Sequence, residues 1–318
     1  MLQYDLIIIG GGASGLSAGV SALKNGIKKV LILERDSDLG GNLNLFIHGG
    51  FGEYYLGEEV TGPELGSKLI NDFKEAGGEY KSDTEVLEVT QNKVITYVNP
   101  EEGVKDIKGS SVILASGCRE RFTGNINIPI HKYTGIYSLV AAHRLVNLQG
   151  YLPGKEVVIL GKNNWSLILA RRLLIEGARV NAIVDLTNRG FLDERGKEVI
   201  KGFDINVIKN ARVVDINGDD RIESIDIEEI TTLKMTTLQC DSLVLTVGYF
   251  PEISYIKKAK IGIMNNVSLE VNDNYETTAK GIFACGTVLT WDSDIFNSGE
   301  VGYIVGKKAA EYIKSYVY

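Results

Sequence analysis

The chain of 318 residues has few of the residues that build several common kinds of site. It contains only three cysteines, and Cys118, Cys240 and Cys285 are far apart in the sequence and form no C-x-x-C pair. This spacing argues against a disulfide framework, a zinc site and a redox-active dithiol, so we expect no metal. The scarcity of cysteine also favours a reducing compartment.

The chain also lacks excess positive charge and long apolar runs. Its net charge is −7 at pH 7, so no basic field is available to attract nucleic acid. No apolar run approaches the roughly 20 residues of a membrane span. The first predicted strand begins about four residues from the start, which leaves no room for a signal peptide. We therefore expect a cytoplasmic protein with neither a membrane span nor a nucleic-acid partner.

Glycine, in contrast, is frequent, and one glycine cluster organises the chain. A buried apolar strand over residues 4–9 leads directly into Gly10, Gly12 and Gly15, and a run of small and apolar residues suited to a helix follows. This is the G-x-G-x-x-G fingerprint in its strand–turn–helix context. Gly10 permits the turn, Gly12 lets a pyrophosphate approach the backbone, and Gly15 lets the helix lie close to the strand. A second strand ends at Glu34, near the spacing of the carboxylate that binds a ribose hydroxyl.

The same pattern restarts in the second half of the chain. A strand from residue 156 ends in a turn at Gly161, and a helix and a strand that ends at Asp185 follow. Here Asn163 and Ser166 replace the second and third glycines of the fingerprint. The strand and helix are better preserved than the phosphate site, which makes pyridine-nucleotide binding doubtful. If a dinucleotide does bind, Asp185 favours an unphosphorylated ribose.

Other segments carry local signals of secondary structure. Residues 61–64 have the spacing of a capping box and predict a helix through about residue 76. The composition of residues 99–109 predicts a turn-rich connection between antiparallel strands. A short buried strand is expected within residues 281–288, and a final helix over about residues 299–315.

On this order of motifs the chain resembles thioredoxin-reductase-like flavoproteins. The resemblance implies an α/β fold with two Rossmann-like dinucleotide-binding domains, the second inserted into the first. It implies an FAD-binding domain built from residues 1–122 and 249–318, and an NAD(P)-binding-like domain over residues 123–248. The residues that it places on FAD are Gly10, Gly12, Ala13, Ser14, Gly15, Glu34, Arg35, Gly41, Asn42, Leu43, Val86, Ala115, Ser116, Gly117, Gly286, Thr287, Asp294 and Ile295. The corresponding NAD(P) loop is Gly161, Asn163 and Ser166, with Asp185.

A closer resemblance is to certain flavoprotein subunits. These occur beside anaerobic glycerol-3-phosphate dehydrogenases and in dye-linked proline dehydrogenase and hydrogen cyanide synthase complexes. The matching segments are residues 47–52, 61–64, 117–121 and 144–155. Thioredoxin reductases carry C-x-x-C in the pyridine-nucleotide domain and this chain has none, so disulfide reduction is not expected.

Three functions are compatible with these residues. The first is an FAD oxidoreductase that exchanges a hydride with NAD(P)H, and the second is a partner-fed electron-transfer subunit that does not bind NAD(P). The third is a non-catalytic flavin-binding protein. The electron donor or acceptor would be a small molecule or a protein, and the chain would form a homodimer or a subunit of a dehydrogenase complex. His48 is the candidate catalytic residue, for proton transfer, and a packing role is the alternative.

Overall fold

The computed structural model describes residues 1–121, 130–186, 194–264, 268–289 and 298–315. The chain divides into two compact units. Unit 1 contains residues 1–119 and 250–318, and unit 2 contains residues 120–249. Among the described residues, no helix is both long enough and apolar enough to cross a membrane.

Within the described residues, the chain begins with a strand and ends with a helix. The first segment contains β1 (Leu2–Ile9), α1 (Ala13–Lys24), β2 (Val30–Leu33), α2 (Glu53–Leu56), α3 (Gly62–Glu75), β3 (Glu79–Lys81), β4 (Glu85–Val89), β5 (Val94–Asn99), β6 (Gly103–Leu114) and β7 (Cys118–Glu120). The middle segment contains β8 (Ile136–Ser138), α4 (Leu139–Asn147), β9 (Glu156–Leu160), α5 (Asn164–Ile175), β10 (Arg179–Asp185), α6 (Glu194–Gly202), β11 (Val207–Lys209), β12 (Ala211–Gly218), β13 (Ile222–Glu229), β14 (Met235–Gln239) and β15 (Ser242–Leu245). The last segment contains β16 (Tyr249–Pro251), β17 (Ile263–Met264), β18 (Ser268–Leu269), β19 (Ile282–Ala284) and α7 (Ser298–Ser315).

The main sheet of unit 1 has the strand order β3-β2-β1-β6-β5-β4, and β19 also pairs with β6. The strands β1, β2, β3, β6 and β19 are parallel, whereas β4 and β5 add an antiparallel ribbon. Residues 6–9 of β1 and all of β2 are buried. Such continuous apolar runs are typical of parallel strands covered on both faces. The carboxyl ends of the parallel strands therefore meet at one edge of the sheet.

The connection predicted over residues 99–109 is wrong. The turn is confined to residues 100–102, and β6 begins at Gly103 and continues into the predicted buried strand. Residues 103–106 of β6 pair with β5 but remain exposed to solvent. Their polar sequence therefore reflects an exposed hairpin rather than a loop.

Glycines bring the first and last helices of unit 1 into direct contact. A Cβ at Gly302 would meet the backbone of Ser14, and a Cβ at Gly306 would meet the backbone of Ala18. Both glycines lie inside α7, where their backbone is helical, so their role is to allow close approach. As a result α7, from the end of the chain, packs on α1 immediately after the first fingerprint.

Unit 2 contains a parallel sheet in the order β11-β10-β9-β15-β8 and an antiparallel sheet in the order β12-β13-β14. The predicted βαβ pattern is present as β9, α5 and β10. Helix α5 begins at Asn164, because Asn163 is its N-cap. Strand β14 was not predicted, because its residues are largely exposed and show no apolar alternation.

Substitution of Gly306 tests the contact between α1 and α7. Gly306→Ala should lower the free energy of unfolding by about 1–3 kcal/mol, the usual cost of overpacking, because the new methyl group would press on the Ala18 backbone. Urea denaturation followed by circular dichroism measures the change.

The matched control is Gly66→Ala in α3, where the new Cβ would lie 3.6 Å from the Leu43 Cβ, an ordinary contact. Alanine is favoured over glycine within a helix by about 1 kcal/mol, so this control should be as stable as the parent or more stable. If Gly306→Ala unfolds at the same urea concentration as the control, the close helix contact is not present.

Candidate dinucleotide-binding sites

The turn between β1 and α1 is formed by glycines in tight backbone contact. Gly10 has a φ of +103°, which L side chains rarely adopt, and a Cβ there would overlap the carbonyl group of Ala115. A Cβ at Gly15 would overlap the carbonyl oxygen of Gly10. Both glycines are therefore required by the fold itself, whether or not a ligand binds.

The N-terminus of α1, in contrast, faces open space. Gly12 is the N-cap, no side chain among the described residues caps the helix there, and a Cβ at Gly12 would have nothing within 4 Å. Two further glycines, Gly40 and Gly41, lie alongside, since Gly40 donates its N–H to the Gly11 carbonyl oxygen at 2.8 Å. A Cβ at Gly41 would be 3.0 Å from the Gly12 Cα. The helix end thus offers backbone N–H groups and the positive end of a dipole to an anion.

A buried carboxylate lies beside this glycine turn. Glu34, at the carboxyl end of β2, accepts hydrogen bonds from the Gly11 N–H at 2.7 Å and from the Asp36 N–H at 2.8 Å. Its residue is 9% exposed, so these two backbone donors fix the carboxylate in position. A carboxylate has about four acceptor positions, so Glu34 can still accept from a ribose hydroxyl.

The same sheet edge continues through the ends of β6 and β19. The Ser14 hydroxyl donates to the Ser298 carbonyl oxygen at 2.8 Å, which holds the first turn of α7 against α1. Gly286 has a φ of +78°, and a Cβ there would meet the Ser14 side chain. A Cβ at Gly117 would lie 3.4 Å from the Thr287 hydroxyl oxygen. The structure therefore brings together residues that the sequence holds far apart.

Two of the predicted FAD residues bond to neighbouring protein groups. The Ser116 hydroxyl donates to the Glu252 carbonyl oxygen at 2.8 Å and shares a hydrogen bond of 2.6 Å with the Tyr255 hydroxyl. Arg35 Nη1 lies 3.7 Å from Glu252 Oε2, and Arg119 pairs with the same oxygen. Glu252 was not predicted as a site residue, because nothing near it in the sequence shows that two arginines meet there.

The remaining predicted residues are more scattered. Ala13 is the first residue of α1, Asn42 and Leu43 lie in a short 3-10 helix over Gly41–Leu45, and Val86 packs against the apolar core of unit 1. Asp294 and Ile295 lie outside the described residues.

His48 lies in an aromatic cluster in the loop before α2. Its ring centroid is 5.7 Å from that of Phe46 and 5.3 Å from that of Phe51. Its Nδ1 forms a hydrogen bond of 2.8 Å with the Gly49 carbonyl oxygen. These contacts suit a packing residue, while proton transfer by His48 stays a prediction.

Unit 2 has the same turn between β9 and α5, but a side chain occupies the position that is open in unit 1. Gly161 also has a φ of +103°, and a Cβ there would overlap the carbonyl oxygen of Thr246. The Asn163 side chain accepts from the Ser166 N–H at 2.8 Å and donates to the Thr246 hydroxyl at 2.9 Å. In return, the Ser166 hydroxyl accepts from the Asn163 N–H at 3.0 Å. This reciprocal capping box satisfies helix-terminal donors that a phosphate would otherwise use.

The carboxylate at the end of β10 is also engaged by the protein. Asp185 Oδ2 lies 2.7 Å from the ammonium nitrogen of Lys162, and the two side chains are only 4% and 7% exposed. Lys162 was missed by the sequence analysis. A basic residue inside a glycine fingerprint was the one signal that could have revealed it.

The cysteines show no sign of a reactive pair among the described residues. Cys118 is half-buried, whereas Cys240 and Cys285 are buried and free. Burial raises the pKa of the Cys240 thiol to about 12, with a further contribution from the Asp241 charge. Burial alone raises the pKa of the Cys285 thiol to about 12. Both therefore remain protonated at neutral pH and are poor nucleophiles.

Comparison with a solved structure agrees with the architecture. The thioredoxin reductase of T. acidophilum aligns with a TM-score of 0.80 at 22% identity, covering 99% of this chain and 100% of that chain. At this identity the likeness shows the fold, an α/β arrangement with two Rossmann domains.

Two relatives match most of the sequence. The thioredoxin reductase of Bacillus subtilis (strain 168) is 26% identical over 293 residues, covering 90% of this chain and 86% of that protein. The ferredoxin–NADP reductase of Halalkalibacterium halodurans is 25% identical over 301 residues, covering 92% of this chain and 87% of that protein. The family described as pyridine nucleotide-disulphide oxidoreductase matches residues 4–304. The chain therefore belongs to the pyridine nucleotide-disulphide oxidoreductase family and is an oxidoreductase.

Proposed function

We propose that unit 1 binds FAD and that the enzyme transfers a hydride or electrons through this flavin without a redox-active disulfide. The observation that carries the proposal is the open, uncapped N-terminus of α1, beside the buried carboxylate of Glu34. Phosphate and ribose are the two groups that this pair of features would recognise. FAD, when bound, would supply the redox chemistry, accepting and releasing two electrons.

The residues of unit 1 fit such a cofactor in complementary ways. The α1 N–H groups after Gly12 would bind the pyrophosphate, and Glu34 would accept from a ribose hydroxyl. Gly117 and Thr287, at the ends of β6 and β19, would line the middle of the cofactor. Ser14 would act indirectly, because its hydrogen bond to Ser298 positions the first turn of α7.

The absence of a dithiol cycle is supported by the cysteines. The sequence has no C-x-x-C, and the thiols of Cys240 and Cys285 are buried and protonated. Electrons would therefore pass directly between the flavin and an external group. We propose that this group is a small molecule or a protein, and that the chain acts as a homodimer or as a subunit of a dehydrogenase complex. The resemblance over residues 47–52 and 144–155 supports the second assembly.

Substitution of Gly12 separates cofactor binding from folding. Gly12→Ala should leave the cofactor-free protein as stable as the parent, because a Cβ there has nothing within 4 Å. It should weaken FAD binding by about 10-fold or more, since the methyl group would lie where the pyrophosphate must approach the backbone. Fluorescence titration of the cofactor-free protein with FAD measures the dissociation constant.

Gly202→Ala is the control, because this glycine in unit 2 also has open space at its Cβ position. It should bind FAD as the parent does. If Gly12→Ala binds FAD with unchanged affinity, the pyrophosphate of FAD does not bind at the N-terminus of α1.

A reductive titration tests the proposed chemistry. The protein reconstituted with FAD should show flavin absorbance at about 370 and 450 nm, and anaerobic dithionite should bleach it with about two electrons per flavin. A flavin coupled to a dithiol would take about four. The Cys118→Ser variant should give the same end point, since no thiol takes part.

The reduced protein should then be reoxidised by an artificial dye acceptor. No flavin binding after reconstitution would contradict the proposal. A reduced flavin that dyes leave unchanged would favour the non-catalytic alternative, and a four-electron end point would contradict the absence of a redox-active disulfide.

A further inference from the structure

We infer that unit 2 keeps the frame of a dinucleotide-binding domain but closes the binding site with its own side chains, so that it does not bind NAD(P)H. The inference rests on the proposed function, because it makes the electron donor of the flavin a group other than a pyridine nucleotide. It concerns the side chains of Lys162, Asn163, Ser166 and Asp185.

The backbone frames of the two units correspond position by position. Gly10 and Gly161 both have a φ of +103° and both lie against a carbonyl group of the neighbouring strand end. The Gly10 N–H donates to the Leu33 carbonyl oxygen at 2.9 Å, and the Gly161 N–H donates to the Val184 carbonyl oxygen at 2.8 Å. The turn of unit 2 is therefore intact, and any loss of binding must come from side chains.

The first closure is at the pyrophosphate position. In unit 1 this position is Gly12, with open space around it, whereas in unit 2 it is Asn163. Asn163 is held by three hydrogen bonds, to the Ser166 N–H, the Ser166 hydroxyl and the Thr246 hydroxyl. A phosphate would have to displace the Asn163 side chain and take over its bond to the helix N–H. The Ser166 N–H is thus already satisfied by the protein, and a dinucleotide would have to compete with the Asn163 side chain for it.

The second closure is at the ribose position. In unit 1, Glu34 is held by the backbone N–H groups of Gly11 and Asp36. In unit 2, Lys162 occupies the position that corresponds to Gly11, and its ammonium group is 2.7 Å from Asp185. Because both side chains are more than nine-tenths buried, a ribose that displaced the ammonium would leave a buried cation without its counter-charge. Breaking a buried pair in this way is strongly unfavourable.

The two closures lie at different parts of the same ligand, so removing one should not restore binding. The restoring variant combines Lys162→Gly, Asn163→Gly and Ser166→Ala, which returns the loop to a G-x-G-x-x-A fingerprint. The comparison variants are Lys162→Gly alone and the Asn163→Gly, Ser166→Ala pair. Arg172→Gln is the control, since Arg172 pairs with Glu176 at the far end of α5.

Isothermal titration calorimetry of the FAD-loaded proteins with NADH and NADPH measures binding directly. The unmodified protein and the control should show no saturation up to about 1 mM nucleotide. The triple variant should bind NADH at least about 10-fold more tightly than either partial variant. It should prefer NADH to NADPH, because the freed Asp185 carboxylate would repel a ribose phosphate. Anaerobic mixing with NADH should leave the flavin band of the unmodified protein unbleached.

Saturation of the unmodified protein below about 1 mM by either nucleotide would overturn the inference. So would a triple variant that retains FAD and its circular dichroism spectrum but gains no affinity for NADH. The flavin absorbance keeps this test separate from the proposed function. A protein that binds no FAD would refute the proposed function. The inference about unit 2 is tested independently, because calorimetry detects NADH or NADPH binding whether or not flavin is present.

Discussion

Unit 1 depends on the direct contact of backbone with backbone at the carboxyl end of β1. A Cβ at Gly10 would overlap the Ala115 carbonyl group and one at Gly15 would overlap the Gly10 carbonyl oxygen, so neither position can carry a side chain. This contact sets the position at which α1 leaves the sheet. It also leaves the helix end uncapped beside Glu34, with Gly40 and Gly41 alongside.

The two units show which positions of the turn serve the fold and which serve a ligand. Gly10 and Gly161 have the same backbone conformation because a Cβ at either position would overlap a carbonyl group. Gly12 has no such constraint in the protein alone, and its counterpart Asn163 carries a side chain without distorting the turn. The turn therefore keeps its backbone architecture even when a side chain occupies the position at which a phosphate would approach the backbone.

Much of the fold could be predicted because its signals are local. The strand–glycine–helix order at Gly10 and the capping box at Thr61 each lie within a few residues, and both elements are found. The exposed half of β6 was mistaken for a loop because its residues face solvent and lack apolar alternation. The pairs between Lys162 and Asp185 and between Arg119 and Glu252 join residues distant in the sequence. The basic residue in the second glycine turn hints at Lys162, but no local pattern identifies the partner in either pair, which only the structure reveals.

The order in which the chain supplies the parts of unit 1 has a consequence for biosynthesis. Strand β19 pairs with β6, and α7 contacts α1 through Gly302 and Gly306. Unit 1 therefore needs the segments that come before and after unit 2 in the sequence. Unit 2 is continuous in sequence and can fold while the chain is still being made. Until α7 has been made, the surface of α1 that α7 contacts remains uncovered. During translation the first segment therefore keeps apolar surface exposed until α7 has been made, and surface of this kind promotes aggregation.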